Sequence, residues 1–445
     1  MVWCPFNSPN SWRFGKIREV KMTELIETFY SDIRKAKEGK FAIFLGAGSS
    51  YDYGIPTMEE MATMLLNEFK SEEETTVFDE KSKEVLRAIL GLSEEKKSEK
   101  KSSAEQTQKW NIEDLLTRLQ RIIDATEKDN PNFSDVTASI AGKTFSKEEI
   151  LSAESKLVEF MVKCYQLDVA KKTTHGDKSV EYFSNFLEFI GEFHNSISIF
   201  TTNNDLCIEA AIMRLSQRQR SLKKKEFYLV DGFSHGILPT FSISNFSQIS
   251  HSSSNKVVVY LWKLHGSIDW IFCNPIDQSQ SQNPRGDSNT QKHVFNDESI
   301  ICRNIDRNCL KKFQDACALS KDVVFDNAKI MIFPTPSKYS QTFNNPYMDL
   351  YQAFRRTLEG IELLLVIGTS FPDGHVNSAI KSFLSRDSSI IYIVDPNLKK
   401  EDACKRLGDC KGIQPIIQFG FKDFISEIQK IEASKEEDEE GGKDE

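Results

Sequence analysis

Five short clusters of glycine and polar residues, each closing an apolar run, carry the side chains that could handle a phosphorylated ligand. Gly46-Ala47-Gly48-Ser49-Ser50 follows Phe41-Ala-Ile-Phe-Leu45. Glycines let backbone approach a diphosphate, whose oxygens bind bare amides or a helix N-terminus. The spacing is neither G-x-G-x-x-G nor a Walker loop, because the lysine is missing; the same pair also suits a tight strand-to-helix turn. Thr201-Thr202-Asn203-Asn204-Asp205 follows Ile197-Ser-Ile-Phe200. An Asn there can orient a carboxamide or a water, and an Asp can hold a ribose or a cationic ring. Thr202, Asn203 or Asp205 could equally cap the next helix. In Lys263-Leu264-His265-Gly266-Ser267 a histidine leaves a strand into a glycine turn, a setting for proton transfer near neutral pH.

The fourth cluster is Gly368-Thr369-Ser370, continued by Pro372-Asp373-Gly374-His375, and the fifth is Asp395-Pro396-Asn397. An acidic group ending such a strand often takes a ribose hydroxyl; beside a proline it also makes an ordinary strand-end turn. His175, His194, His235, His251 and His293 lack any comparable setting and read as surface or core.

These clusters need strands to present them. Apolar runs at Phe41–Leu45, Ile197–Phe200, Val257–Lys263, Lys329–Phe333, Leu363–Ile367 and Ile390–Val394 have the character of buried parallel strands, several ending in small or polar residues. After Gly54-Ile-Pro56, Thr57 and Glu60 stand at a capping-box spacing, and Met58, Met61, Ala62, Leu65 and Phe69 recur at helical spacing. Leu115, Leu116, Leu119, Ile122 and Ile123 form a second apolar stripe. The expected fold is therefore α/β, a Rossmann-like parallel sheet over 22–60 and 195–431 with a helical insertion at 61–194. Residues 1–21 read as a flexible N-terminal arm, 70–109 as one amphipathic helix and a charged linker, 274–298 as a surface loop, and 432–445 as a disordered acidic tail.

The bulk properties exclude several classes. The chain has 445 residues, formal charge −9 and 28 % charged residues. Bulk charge does not attract nucleic acid, and no apolar run reaches the ~18 residues of a membrane span. Nine cysteines occur without any Cys-x-x-Cys pair, which argues for reduced, buried thiols and against a structural zinc or other metal site. No signal peptide is evident, so a cytoplasmic protein is expected.

Taken in order, the clusters resemble the sirtuin superfamily. Gly46-Ala-Gly-Ser-Ser50 with Gly54-Ile-Pro56 is similar to its NAD-binding signature, Thr202-Asn203-Asn204-Asp205 to its Thr-Gln-Asn-Ile-Asp segment, His265-Gly266 to its catalytic His-Gly, and Gly368-Thr369-Ser370 to its Gly-Thr-Ser. The resemblance implies NAD+ as substrate, with Asn203, Asp205 and His265 as catalytic residues. It implies cofactor-binding roles for Gly46, Ala47, Gly48, Ser49, Pro56, Thr202, Gly266, Gly368, Thr369, Ser370, Asp373 and Asp395. Three features depart from the deacylating sirtuins: Thr57-Met58-Glu59-Glu60 stands where they carry Phe-Arg, their zinc ribbon is absent, and Thr202 stands for their Gln.

That pattern is similar to a sirtuin-like branch of prokaryotic anti-phage systems whose members hydrolyse NAD. Asn111-Ile-Glu-Asp-Leu-Leu116, Pro334-Thr-Pro-Ser-Lys338 and Gly368-Thr-Ser-Phe-Pro-Asp373 also match that branch. The resemblance implies an NAD+ hydrolase gated by a homo-oligomer or by a partner, namely a HerA-type hexameric ATPase or alternatively a short Argonaute. It implies no direct contact with nucleic acid or membrane. The other readings are a non-catalytic NAD- or ADP-ribose-binding assembly module and a protein deacylase.

Overall fold

In a computed structural model, the structure describes residues 22–70, 77–92, 112–128, 137–166, 181–222, 225–235, 239–247, 255–275, 300–303, 323–332, 345–408 and 411–441. The expected arm at 1–21, the linker from 93 to 111, most of the 274–298 loop and Pro334–Lys338 lie outside them. Six parallel strands form one sheet: β1 (Phe41–Leu45), β4 (Ser196–Thr201), β5 (Glu226–Val230), β6 (Lys256–Lys263), β10 (Leu363–Ile367) and β11 (Ile390–Val394). Their order is β11-β10-β1-β4-β6-β5. Every residue of β1 and β10 is buried, as expected of central parallel strands covered on both faces.

Alternation along the strands separates two apolar layers. Ile43, Leu45, Ile199, Val259, Leu365 and Tyr392 face the layer built by α1 (Met22–Lys35), α6 (Glu181–Phe193), α7 (Cys207–Leu222) and α11 (Phe421–Gly441). Phe44, Phe200, Val258, Val366 and Ile393 face α8 (Tyr347–Gly360), α9 (Gly374–Leu384) and α10 (Lys400–Leu407). At ~1.5–3 kcal/mol for each large side chain removed from water, these layers dominate the stability of the core.

Between β1 and β4 the chain makes α2 (Met58–Lys70), α3 (Glu80–Leu90), α4 (Ile112–Lys128), the hairpin β2 (Thr137–Ile140) and β3 (Lys143–Ser146), and α5 (Lys147–Tyr165). Local signals start these helices. Asp79 caps α3 and Ser146 with Glu149 makes a capping box on α5. The expected Thr57–Glu60 box is present ahead of α2. The last helix of this stretch, α6, packs against the sheet rather than with the others, because its Phe183, Phe186, Leu187 and Ile190 join the layer under β1 and β4.

Three features differ from the sequence expectation. Residues 329–331 of the 329–333 run belong to β9 (Val323–Met331), which pairs antiparallel with β7 (Gly266–Pro275) in a separate sheet with β8 (Ile300–Arg303), and Phe333 lies outside the described residues. Helix α11 continues through 432–441, where acidic composition had suggested an unstructured tail, while 442–445 lie outside the described residues. Cys302 and Cys404 each take part in a disulfide, whereas Cys164 and Cys207 are the free, buried thiols expected.

Helix α11 braces the turn that follows β1. Phe421 stacks edge-on against Tyr182, Phe183 and Phe186, and the Lys422 amide donates to Asp52 Oδ2. Tyr182 in turn donates its hydroxyl to Ser49 O at 3.1 Å. No helix among the described residues is long and apolar enough to cross a membrane.

Candidate active site

The chain leaves β1 toward β4 on one side and later returns to β10 on the other. The carboxyl ends of β1 and β10 thus border a topological switch point, where open α/β sheets take ligands. Two glycine turns meet there. Gly46 N donates to Ile367 O and Gly48 N to Gly368 O, carrying the β1–β10 ladder past the strand ends. The fit leaves no room for side chains. A Cβ on Gly46 would lie 2.5 Å from Thr369 Cβ, and one on Gly368, whose φ is +64°, would lie 2.3 Å from Ser49 N. Glycine is dictated at Gly46 by contact, and at Gly368 by both contact and conformation.

A cleft of about 370 Å³ opens above these turns, within the roughly 300–1,000 Å³ of small-molecule sites. Its lining includes Gly46, Ala47, Gly48, Pro56, Thr202, Asn203, Asp205, His265, Gly368, Thr369, Ser370, Asp373 and Asp395, all anticipated from the sequence. Of the anticipated residues, Ser49 and Gly266 stand back from it. Ser49 is buried with its hydroxyl donating to Gly46 O at 2.7 Å, and its amide and that of Gly48 are spent on Gly46 O and Gly368 O. Gly266 supplies the φ of +77° that turns the chain beyond His265.

Asn203 is fixed by its amide end. Nδ2 donates to Gly46 O at 2.9 Å, Ser50 Oγ at 3.1 Å and Ser49 Oγ at 3.3 Å. A carbonyl can only accept, so the nitrogen faces the glycine turn and Oδ1 points away from it. Asp205 both borders the cleft and caps α7, accepting from Cys207 N at 3.0 Å through Oδ1. The same carboxylate helps burial push the Cys207 thiol well above its ordinary range, which keeps it inert. Asp395 likewise closes its own strand-end turn, accepting from Asn397 N and Leu398 N at 2.8 Å.

Two residues not foreseen join the Asn203–Asp205 loop to the His265 turn. The Asn204 side chain sits between two carbonyls, so its nitrogen belongs there, 3.1 Å from His265 O and 3.2 Å from Gly266 O. Lys263, 2 % exposed, donates to Asp205 O, to Glu209 Oε1 at 2.8 Å and to Ser267 Oγ at 2.8 Å. Arg303 lies nearby, paired with Asp231 and 3.5 Å from Asp269. Lys263 and Arg303 thus face Glu209, Asp231, Asp269 and Asp205, more carboxylates than these two cations can neutralise. Burial penalises the Lys263 ammonium, but Glu209, Asp269 and Asp205 outweigh that and hold it above its usual range. Burial, only partly offset by the cations, pushes the Glu209 and Asp231 carboxyls up as well. Lys263, Arg303, Glu209 and Asp231 all move toward binding protons, as an acid-rich buried cluster requires.

His265 is 6 % exposed and lines the cleft, with Nε2 3.3 Å from Nε2 of the equally buried His375. His375 lies in the first turn of α9, its own carbonyl accepting the Tyr351 hydroxyl. The rest of the wall comes from Ile55, Met58, Ile332, Pro372 and Tyr165, the last residue of α5. Nothing local in the sequence marks Tyr165 as a site residue, because only the docking of α5 brings it here.

Comparison with known proteins bears on this arrangement. Residues 197–416 match the family model of the SIR2-like domain. The matched stretch takes in the Asn203, His265 and Gly368 clusters, while the glycine turn at 46–54 and the inserted helices precede it. No curated protein matches the chain. Among solved structures, a Sir2 homologue–NAD complex aligns at 12 % identity over 91 % of this chain and 94 % of that one, with a TM-score of 0.35. A second Sir2 enzyme structure aligns at 12 % identity over 91 % and 98 %, TM-score 0.35. A third, Sir2Tm bound to a propionylated peptide, aligns at 9 % identity over 92 % and 98 %, TM-score 0.36.

Proposed function

We propose that the chain hydrolyses NAD+ at the nicotinamide–ribose bond, releasing nicotinamide and ADP-ribose. The observation that carries this reading is the opening of Asn203, Asp205 and His265 onto one cleft floored by the paired glycine turns. With the Gly46, Gly48 and Ser49 amides spent within the turns, the dinucleotide's phosphates would lie against Ala47, with Thr369 and Ser370 beside them. Bond cleavage develops positive charge on the ribose, which the Asp205 carboxylate would stabilise. Asn203 Oδ1, with its nitrogen end anchored, would orient a water or ribose hydroxyl. His265 would accept the proton. Thr57-Met58 in place of Phe-Arg, and the apolar wall of Met58 and Tyr165, favour water over a lysine side chain as acceptor.

The biological role we infer is that of an NAD-depleting effector in anti-phage defence. It would act in the cytoplasm as a homo-oligomer gated by a HerA-type hexameric ATPase, or alternatively by a short Argonaute. The test is to incubate the full chain with NAD+, alone and with each partner, and to resolve products by chromatography. N203A and H265A should each lower nicotinamide release by about 10²-fold or more while circular dichroism stays unchanged. Near wild-type turnover in both variants refutes the mechanism. One observation favours a second reading: Asn203 Nδ2 and Asp205 Oδ1 already serve structural bonds. A non-catalytic NAD- or ADP-ribose-binding module would hold ligand and yield no product under every activating condition.

A further inference from the structure

Two imidazoles approach through the same ring atom, Nε2 to Nε2 at 3.3 Å, with ring centroids 5.5 Å apart and planes inclined by 36°. Such a contact is a hydrogen bond only when one ring carries a proton there and the other offers a lone pair. The two rings therefore cannot both be imidazolium, nor can both be neutral with Nε2 bare. The tautomer of His265 is thus tied to that of His375. The two roles are unequal, because His265 borders the cleft and His375 is absent from its lining.

His375 is also the better fixed of the two. It is held by α9, whose N-cap Asp373 accepts the Asn377 amide through its carbonyl. Asn377 Nδ2 donates to Phe371 O at 2.9 Å, stiffening the Gly368–Asp373 turn. On the other side Tyr351 of α8 donates to the His375 carbonyl and sets its ring edge-on to the imidazole at 5.6 Å and 64°. His265 sits in a short connector between β6 and β7, tied by its carbonyl to Ile332 N at 2.8 Å. A rigid imidazole thus stands behind a histidine on a turn, the arrangement in which a third group orients a catalytic base.

We propose that His375 is the positioning residue of the site: its Nε2 lone pair accepts Nε2–H of His265, which holds His265 in the tautomer whose Nδ1 is the base. This rests on the hydrolase reading for its chemistry, though the pairing itself does not. In the reaction, a water or ribose hydroxyl gives one proton to Nδ1 of His265. The resulting imidazolium keeps its Nε2–H directed at neutral His375. The proton on Nδ1 leaves to solvent after product departs, so the pair ends as it began.

The test joins a spectroscopic readout to kinetics on the full chain labelled with 15N-histidine. Long-range 1H–15N correlation, assigned with H265Q and H375Q, should report a protonated Nε2 and bare Nδ1 for His265 in the wild type. In H375L, His265 should lose that fixed tautomer, and kcat should fall about 10–100-fold with KM changed far less, the scale of losing an orienting partner of an imidazole. H375Q, whose side-chain carbonyl can still accept, should regain most of the tautomer and the rate. A wild-type His265 with Nδ1 protonated, or a folded H375L with unchanged His265 signals and kcat, overturns the proposal. Should H375L fail to fold, the wild-type and H375Q spectra decide. A paired His265 in a protein that never cleaves NAD+ refutes the hydrolase reading alone; full cleavage by H375L refutes the pairing alone.

Discussion

Replacing Lys263 by methionine removes the ammonium that joins the Asn203–Asp205 loop to the His265 turn while keeping most of the side chain's volume. Its partners Asp205 O, Glu209 Oε1 and Ser267 Oγ all lose their donor. Glu209 already has Oε2 buried without a hydrogen-bond partner, and Asp269 has Oδ1 in the same condition. The variant leaves Glu209, Asp231 and Asp269 facing Arg303 as their one close cation among the described residues. Breaking a buried pair from one side costs roughly 3–5 kcal/mol, chiefly through the stranded charge. K263M should therefore unfold at lower urea by that amount, read by tryptophan fluorescence, for which the neighbouring Trp262 stacked between Phe200 and Phe246 is a local reporter. If stranded charge is the cause, adding E209Q to K263M should restore about 1–3 kcal/mol. A loss under about 1 kcal/mol in K263M, or a double variant no more stable than the single one, refutes the reasoning.

The other expectations concern backbone and charge. G368A, forced into φ of +64° with its Cβ 2.5 Å from Gly48 C, should lose roughly 2–5 kcal/mol, the sum of the left-handed penalty and overpacking, and its melting temperature should fall accordingly. NAD+ should no longer raise that temperature; a melting curve matching the wild type contradicts the close-packed turn. For pH, the raised Glu209 and Asp231 carboxyls favour folding while protonated, and that contribution is lost as pH rises through their elevated folded-state values. Urea midpoints should therefore fall more steeply over that interval in the wild type than in E209Q, and parallel profiles would argue against the acid-rich cluster.

Much of the cleft could be read from sequence because its parts are local. Glycines directly after a uniformly apolar strand, as at Gly46 and Gly368, betray a backbone contact, and short polar side chains at Asn203 and Asp205 have little use in packing. Such reasoning also foresaw that a residue of this loop caps a helix, and Asp205 does so. What escaped was either non-local or poorly patterned. His375 is two residues beyond an anticipated aspartate, yet its role depends on a partner 110 positions away. Lys263 reads as the end of a strand, and only the docking of α7 beside that strand end places it against Glu209. Strand β5 (Glu226–Val230) has three apolar or aromatic residues between its ends and no glycine stop, too weak a signal for an edge strand. The 329–333 run reads as a parallel strand by composition alone, whereas its antiparallel pairing is set by β7.

The bracing of the first glycine turn by the last helix has a consequence for biosynthesis. Chains emerge from the ribosome N-terminus first, and the pieces of this cleft appear in sequence from Gly46 to Asp395, with Phe421 and Lys422 fastening the first piece last. A nascent polypeptide lacks a wall, a floor or the clasp until Phe421 and Lys422 have been made, so the cleft is whole only after that point. On the hydrolase reading proposed above, that order would confine turnover to chains that already carry the clasp.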